Sequence, residues 1–131
     1  MNFKDKKILI TGATGGIGNA IVKKFMELGG TVFATGTKNS KLEELKSKYP
    51  NIKIKQFDIS EHSKIEKFID GVASELGGLD ILINNAGMNM DNLSLRMKDE
   101  EWKKVIDINL SSTFLITKNV IKKMLKSKNG K

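Results

Sequence analysis

Short apolar runs alternate with amphipathic stretches along this whole chain. Residues 7–11, 31–35 and 79–83 are rich in aliphatic and β-branched side chains, and turn-forming residues flank each run. Such runs are typical of strands that are buried on both faces of a sheet. A further strand is predicted over residues 52–56, where isoleucine occupies alternate positions.

Between these runs, apolar residues recur at intervals of three and four positions, which predicts amphipathic helices. The first helix is predicted over residues 17–28 and is ended by two glycines. The second opens at Ser40, which forms a capping box with Glu43. The third begins at Ser60, and one long helix covers residues 102–127.

Strands that alternate with helices and are apolar throughout predict a parallel sheet with helices on both faces. The right-handed crossover rule then favours an α/β, Rossmann-type doubly wound sheet with the strand order 3-2-1-4. A chain of 131 residues is predicted to form one domain, residues 1–131. In such sheets a ligand binds beyond the carboxyl ends of the strands, here between strands one and four.

Composition narrows the possible functions. The chain has no cysteine and one histidine, so neither a disulfide framework nor a metal site is expected. The first apolar run is too short for a signal sequence or a membrane span, so a cytoplasmic location without a membrane partner is expected. The net charge of +8 comes from lysines spread over the whole chain, with Arg96 as the sole arginine. This spread favours a compositional bias over nucleic-acid binding.

A glycine-rich turn joins the first strand to the first helix: Thr11-Gly12-Ala13-Thr14-Gly15-Gly16-Ile17-Gly18. Glycines let the backbone turn sharply and approach a pyrophosphate, which would lie at the positive helix N-terminus. Turns need glycine whatever they bind, but this turn follows a strand and opens a helix, with a second strand ending about twenty residues later. The position therefore favours dinucleotide binding.

The end of the second strand reads Thr35-Gly36-Thr37-Lys38. It lacks the acidic residue with which NAD-binding proteins hold the ribose 2′-hydroxyl, so a 2′-phosphate would be tolerated and NADP is favoured. Lys38 could equally be a solvated turn lysine, and Gly15 offers no side chain to pair with the phosphate.

These motifs together resemble the short-chain dehydrogenase/reductase family. The resemblance covers the whole chain, aligned with the N-terminal part of that fold, and rests on the glycine turn, Asp58, Asn84-Asn85-Ala86-Gly87 and Asn109. The stretch from Asp91 to Trp102 resembles the bacterial 3-oxoacyl-acyl-carrier-protein reductases of fatty-acid synthesis.

The resemblance implies NADP-dependent reduction of a 3-oxoacyl group carried by acyl carrier protein, in a homo-oligomer that uses the long helix as its dimer face. It assigns cofactor binding to two groups of residues. The glycine turn contributes Gly12, Thr14, Gly15, Gly16, Ile17 and Gly18. Later strand ends contribute Thr37, Asp58, Ile59, Asn85, Ala86 and Gly87.

Two of these assignments have structural alternatives. Asp58 would accept a hydrogen bond from the adenine amino group, and it can also serve as a carboxylate at a helix N-terminus. Asn109 is the one residue implied to take part in catalysis, by holding a water that relays protons. A polar residue in a helix can instead make only local hydrogen bonds. The lysines near the end of the chain are candidate docking charges for the acidic carrier protein: Lys122, Lys123, Lys126, Lys128 and Lys131.

The family's catalytic serine, tyrosine and lysine have no counterpart in this chain. Tyr49 has no lysine four positions later, and Ser111 and Ser112 fall within a helix. His62 has no visible partner and receives no role. The chain alone is therefore expected to bind cofactor without transferring hydride, and the strand at 79–83 is expected to be an uncovered edge. A non-catalytic nucleotide-binding fragment and a degenerate gene product remain as alternatives.

Overall fold

The computed structural model describes residues 1–131, in which four strands alternate with helices. The strands are β1 (Lys7–Ile10), β2 (Thr31–Gly36), β3 (Lys53–Gln56) and β4 (Ile81–Ile83). The helices are α1 (Gly16–Glu27), α2 (Asn39–Lys48), α3 (Ile65–Leu76), α4 (Asp99–Ile106) and α5 (Ser112–Ser127). The strands form one parallel sheet in the order β3-β2-β1-β4, which confirms the predicted fold class.

The sheet is covered on both faces because successive strand residues point to opposite sides. In β1, Ile8 and Ile10 belong to the core cluster on the side of α1 and α2. Leu9 belongs to the other cluster, formed with Phe33 and with residues of α3 and α5. All three β1 side chains are fully buried. The central strand therefore fixes the two helical layers relative to each other, and with them the turn that follows it.

Several predicted element boundaries are wrong. Strand β4 begins at Ile81 and not at residue 79, because Asp80 uses its carboxylate to accept a hydrogen bond from the Lys7 amide at 2.8 Å. Helix α2 begins at Asn39, one residue before Ser40, so the capping box of Ser40 with Glu43 does not form. A 3-10 turn, His62–Lys64, lies where the third helix was expected to begin.

The long C-terminal helix runs further back than predicted and is not uniform. It starts at Asp99, where the Lys98 amide donates to Glu101 Oε2 at 2.9 Å and the first turn carries three acidic residues. Between α4 and α5 lies a π-helical segment, Asp107–Ser111, called the π-segment below. A π turn opens the regular hydrogen-bond ladder, and such insertions occur frequently at functional sites.

The outer edge of β4 is partly paired. The Lys131 amide donates to the Asp80 carbonyl and the Leu82 amide donates to the Lys131 carbonyl, both at 3.0 Å. This is the pattern of a parallel ladder. The prediction that the whole run 79–83 is an uncovered edge is therefore wrong at these two positions.

Candidate functional site

The glycine turn closes on itself beyond the end of β1. Gly12 has φ of +59°, and a Cβ there would lie 2.7 Å from the Ala86 Cα. A Cβ on Gly18 would collide with the Gly12 carbonyl oxygen and would lie 2.8 Å from Asn85 Nδ2. Backbone conformation at Gly12 and close approach at Gly18 thus both require glycine.

Helix α1 begins in this turn without a capping side chain. The amides of Gly16, Ile17 and Gly18 donate to no group within the chain, as expected for the first residues of an uncapped helix. Three backbone donors at the positive end of a helix form a binding site for a phosphate or another anion.

The turn is held against the end of β4 by a network of hydrogen bonds. The buried Thr11 hydroxyl accepts from the amides of Asn85 and Ala86, at 3.1 and 3.0 Å. In return, Asn85 Nδ2 donates to the Gly12 carbonyl at 2.9 Å and to the Thr11 carbonyl at 3.2 Å. Asn84 points elsewhere and donates to Thr117 Oγ1 of α5 at 2.9 Å. The two asparagines therefore fix different elements, and Asn85 is the one that shapes the turn.

A cleft of about 790 Å³ lies beyond the carboxyl ends of the strands. This size is within the range of small-molecule and cofactor sites. All twelve residues predicted to bind cofactor line it: Gly12, Thr14, Gly15, Gly16, Ile17, Gly18, Thr37, Asp58, Ile59, Asn85, Ala86 and Gly87. Their functional roles remain predictions, but the fold brings them to one place.

Asp58 lies at the cleft, and one of its two carboxylate oxygens accepts hydrogen bonds within the chain. Asp58 Oδ1 accepts from the Ser60 hydroxyl at 2.7 Å and from the Ser60 amide at 2.9 Å. These two hydrogen bonds lower the pKa of Asp58 below its ordinary value of 3.8. Oδ2 accepts no hydrogen bond within the chain and is available to a ligand. The carboxylate stabilises the turn before α3 and does not cap that helix, which starts at Ile65.

Two lysines stand on the side of the cleft formed by the end of β2. Lys38 immediately precedes α2, and Lys41 lies in its first turn. Lys38 was expected at this position from the sequence, and Lys41 was not. Phe57, Met88 and Ile108 also line the cleft and were not predicted. Each of the three is an apolar residue next to a motif position, and the sequence holds no other signal for them.

Asn109 does not line the main cleft but adjoins it through a second, shallower cavity that also includes Met88. Asn109 Oδ1 accepts from the Met88 amide at 2.8 Å, and Nδ2 donates to the Met88 carbonyl at 2.7 Å. A Cβ on Gly87 would approach Asn109 Oδ1 at 3.1 Å. Asn109 thus fixes the loop after β4 from within the π-segment.

His62 has a partner, contrary to the sequence-based expectation. His62 Nε2 lies 2.9 Å from Ser112 Oγ, although the two residues are separated by 50 positions. Ser112 is fully buried, and its hydroxyl also donates to the Asp107 carbonyl at 2.8 Å. No pattern in the sequence signals this long-range contact.

Two kinds of feature are not found. No helix combines the length and the apolar character that a membrane span requires. No group of three or more histidine, cysteine or acidic side chains is arranged to hold a metal ion.

Comparison with known proteins gives the family. The sequence model described as short chain dehydrogenase matches residues 6–131. The 3-oxoacyl-[acyl-carrier-protein] reductase FabG of Escherichia coli K12 is 40% identical over the full chain, which covers 54% of that relative. The chain thus spans about half the length of the curated relatives it matches.

Solved structures agree on the fold. The serine dehydrogenase of Escherichia coli superposes with a TM-score of 0.86 at 33% identity, over 94% of this chain and 58% of that one. A variant of ElxO with NADPH bound gives a TM-score of 0.88 at 28% identity, over 95% of this chain and 52% of that one. The protein belongs to the short-chain dehydrogenase family.

Proposed function

We propose that this chain forms the cofactor-binding half of an NADP-dependent reductase that acts on 3-oxoacyl groups carried by acyl carrier protein. Family membership implies a nicotinamide nucleotide as cofactor. The observation that carries the proposal is the turn at Gly12–Gly18, whose three free amides at the start of α1 are held in the cleft by Thr11 and Asn85.

The residues that line the cleft offer hydrogen-bonding partners for the parts of a dinucleotide. The free amides of Gly16, Ile17 and Gly18 suit a pyrophosphate. Asp58 Oδ2 can accept a hydrogen bond from an adenine amino group, with the buried Ile59 beside it. Met88 would face the nicotinamide end, and Asn109 holds its backbone in place.

We further propose that the cofactor is NADP rather than NAD. The end of β2 carries no acidic side chain, and Lys38 and Lys41 supply two positive charges on that side of the cleft. Gly15 contributes no side chain there, so the lysines are the available partners for a 2′-phosphate. Lysine binds phosphate as a point charge, which requires less exact geometry than a bidentate arginine.

The bound cofactor would supply the hydride, and this half of the enzyme would only bind and orient it. The family's catalytic serine, tyrosine and lysine have no counterparts among these residues, and Tyr49 lies at the end of α2 outside the cleft. We expect the 131-residue chain alone to bind NADPH and to leave 3-oxoacyl substrates unreduced.

The partners follow from the same proposal. Apolar side chains on α4 and α5 are left exposed, with Phe114 at 64% and Trp102 at 60% of their full accessibility. An exposed apolar stripe of this kind is typical of an interaction face, so we propose that it joins copies of the protein in a homo-oligomer. The lysines at the end of α5 are the proposed docking charges for the acidic acyl carrier protein.

A non-catalytic nucleotide-binding module is the second candidate. It is favoured by the same cleft combined with the lack of the three catalytic groups. The two candidates differ in one respect, since a reductase requires the remaining catalytic groups from additional polypeptide and a binding module does not. A degenerate product would show neither cooperative unfolding nor cofactor binding.

Titration of the purified chain with NADPH tests the proposal, with nicotinamide fluorescence as the readout. We expect saturable binding that weakens about tenfold when Lys41 is replaced by glutamine, since a hydrogen bond to a charged group contributes about 1.5–3 kcal/mol. Binding of NADH should be unchanged by Lys41→Gln because NADH has no 2′-phosphate. Equal loss for both nucleotides would contradict the assignment of NADP.

A further inference from the structure

The contact between His62 and Ser112 connects two parts of the site that are far apart in sequence. His62 opens the 3-10 turn that follows Asp58, on the side proposed for adenine. Ser112 is the first residue of α5 and follows the π-segment directly. The distance of 2.9 Å between His62 Nε2 and Ser112 Oγ is that of a good hydrogen bond.

The direction of this hydrogen bond is fixed by the chemistry of the serine. A hydroxyl carries one hydrogen, and that of Ser112 is donated to the Asp107 carbonyl at 2.8 Å. The Ser112 oxygen must therefore accept, so His62 donates from Nε2. The imidazole proton is accordingly on Nε2, whether or not the ring carries a second proton.

The Asp107 carbonyl is the first of the π-segment, five residues before Ser112. An opened helical ladder has alternative local arrangements, because its carbonyls can pair with amides at more than one spacing. Ser112 holds this carbonyl through both its amide and its Oγ, and His62 in turn holds the Ser112 side chain. Ser112 is itself fully buried, and both contacts of its hydroxyl are partly buried.

The π-segment carries Asn109, whose side chain makes both hydrogen bonds to the Met88 backbone. Asn109 is further tied to α5, because Thr113 Oγ1 donates to its carbonyl at 3.0 Å. The position of the Met88 loop thus depends on how the π-segment is held at its C-terminal end.

We infer that His62 is a positioning residue, which acts through Ser112 and the π-segment to hold Asn109 and the Met88 loop against the nicotinamide end of the cofactor. This inference rests on the proposed cofactor binding. His62 itself does not line the cleft. It touches neither cofactor nor substrate in this assignment.

Two variants of the full chain separate the hydrogen bond from mere bulk. In His62→Gln the side-chain amide can donate from nearly the same place, whereas His62→Leu fills similar space and cannot donate. Neither variant has an aromatic ring, so ring-current differences cancel when the two variants are compared with each other. We expect His62→Leu to shift the ¹⁵N-resolved signals of the Asn109 side-chain amide and the Met88 amide. His62→Gln should leave both signals close to their wild-type positions.

Cofactor affinity gives the second readout. Loss of one hydrogen bond should weaken NADPH binding about fivefold in His62→Leu, with His62→Gln within about twofold of wild type. Adenosine 2′,5′-bisphosphate lacks the nicotinamide half, so its affinity should be the same in all three proteins. Equal weakening of both ligands would overturn the inference, because His62 would then act on the adenine side or on overall stability.

The same pair of substitutions in a Ser112→Ala background completes the test. With the serine removed, the difference between glutamine and leucine at position 62 should vanish in both readouts, and its persistence would overturn the inference.

If wild type fails to bind NADPH, the proposed function fails, and the Asn109 and Met88 signals still decide whether His62 positions them. If wild type binds NADPH and these signals respond alike to both variants, only the inference on His62 fails.

Discussion

Replacement of Gly18 by alanine tests the geometry of the site most sharply. The added methyl group would collide with the Gly12 carbonyl oxygen, and it would lie 2.8 Å from Asn85 Nδ2 and 2.9 Å from the Ala13 Cα. Two of these three atoms are backbone, so no side-chain rotation relieves the contact. Either α1 moves away from the turn or the turn leaves its position against the end of β4.

The size of the effect follows from two opposing contributions. Alanine is favoured over glycine inside a helix by about 1 kcal/mol. Overpacking a well-packed site costs about 1–3 kcal/mol, and contacts with backbone belong at the upper end. Gly71 provides the matched control, because it lies inside α3 and a Cβ there meets nothing within 4 Å. Gly71→Ala should stabilise the chain by about 0.5–1 kcal/mol. Gly18→Ala should destabilise it by about 2 kcal/mol, which is the upper end of the overpacking cost less the helix preference of alanine.

Urea unfolding of the two variants measures this difference, and NADPH titration measures its effect on the site. We expect Gly18→Ala to weaken NADPH binding at least about tenfold, because the free amides at the start of α1 would be displaced. Gly71→Ala should bind like wild type. Equal stabilisation by both substitutions, with NADPH affinity retained in both, would refute the close packing of the turn against Asn85.

Three further predictions concern the surroundings of the site. Thr11→Val should lower the free energy of unfolding by about 2–4 kcal/mol, because the partly buried amides of Asn85 and Ala86 lose their acceptor. Thr35→Val, which removes one hydrogen bond to a carbonyl, should cost less than half as much in the same urea assay. The pKa of Asp58 is lower in the folded chain than its ordinary value of 3.8, so the ionised carboxylate stabilises the fold when the pH is above that value. This contribution is lost as the pH falls through the lowered pKa. Ser60→Ala removes the largest cause of the shift. The stability of this variant should therefore fall less than that of wild type between about pH 6 and about pH 2.5, and an equal fall would contradict this. Phe114→Ser should change monomer stability by less than about 0.5 kcal/mol, yet shift sedimentation toward monomer; an unchanged oligomer would exclude this face.

The sheet and its strand order could be predicted because they depend on short-range patterns. Apolar runs identify buried strands, and the crossover rule leaves few arrangements for alternating strands and helices. The twelve residues predicted to bind cofactor come together for the same reason, since they follow the carboxyl ends of strands in one parallel sheet.

Features that depend on side-chain contacts between distant segments could not be predicted. The start of β4 is set by the hydrogen bond from the Lys7 amide to Asp80, and nothing near Asp80 in the sequence indicates it. His62 gains its partner only when α5 packs against α3, which places Ser112 beside it. The π-segment likewise shows no break in the apolar periodicity.

Helix-capping rules consider only neighbouring residues, which explains why the first residue of α2 was predicted wrongly. Ser40 and Glu43 have the spacing of a capping box, but α2 already begins at Asn39, so Ser40 lies within the helix. Lys41 lies in the first turn of α2 and lines the cleft, which the capping pattern did not indicate. A local motif therefore predicted the helix correctly and its first residue wrongly.

The turn after β1 and the end of β4 form the site that we propose for NADP. Titration of the purified 131-residue chain with NADPH and NADH, with Gly18→Ala as the control, is the decisive experiment for this site. We expect saturable binding of one NADPH per chain, affinity about tenfold higher than for NADH, and marked weakening in Gly18→Ala. Binding of neither nucleotide by a cooperatively folded chain, or equal binding by wild type and Gly18→Ala, would contradict the proposal.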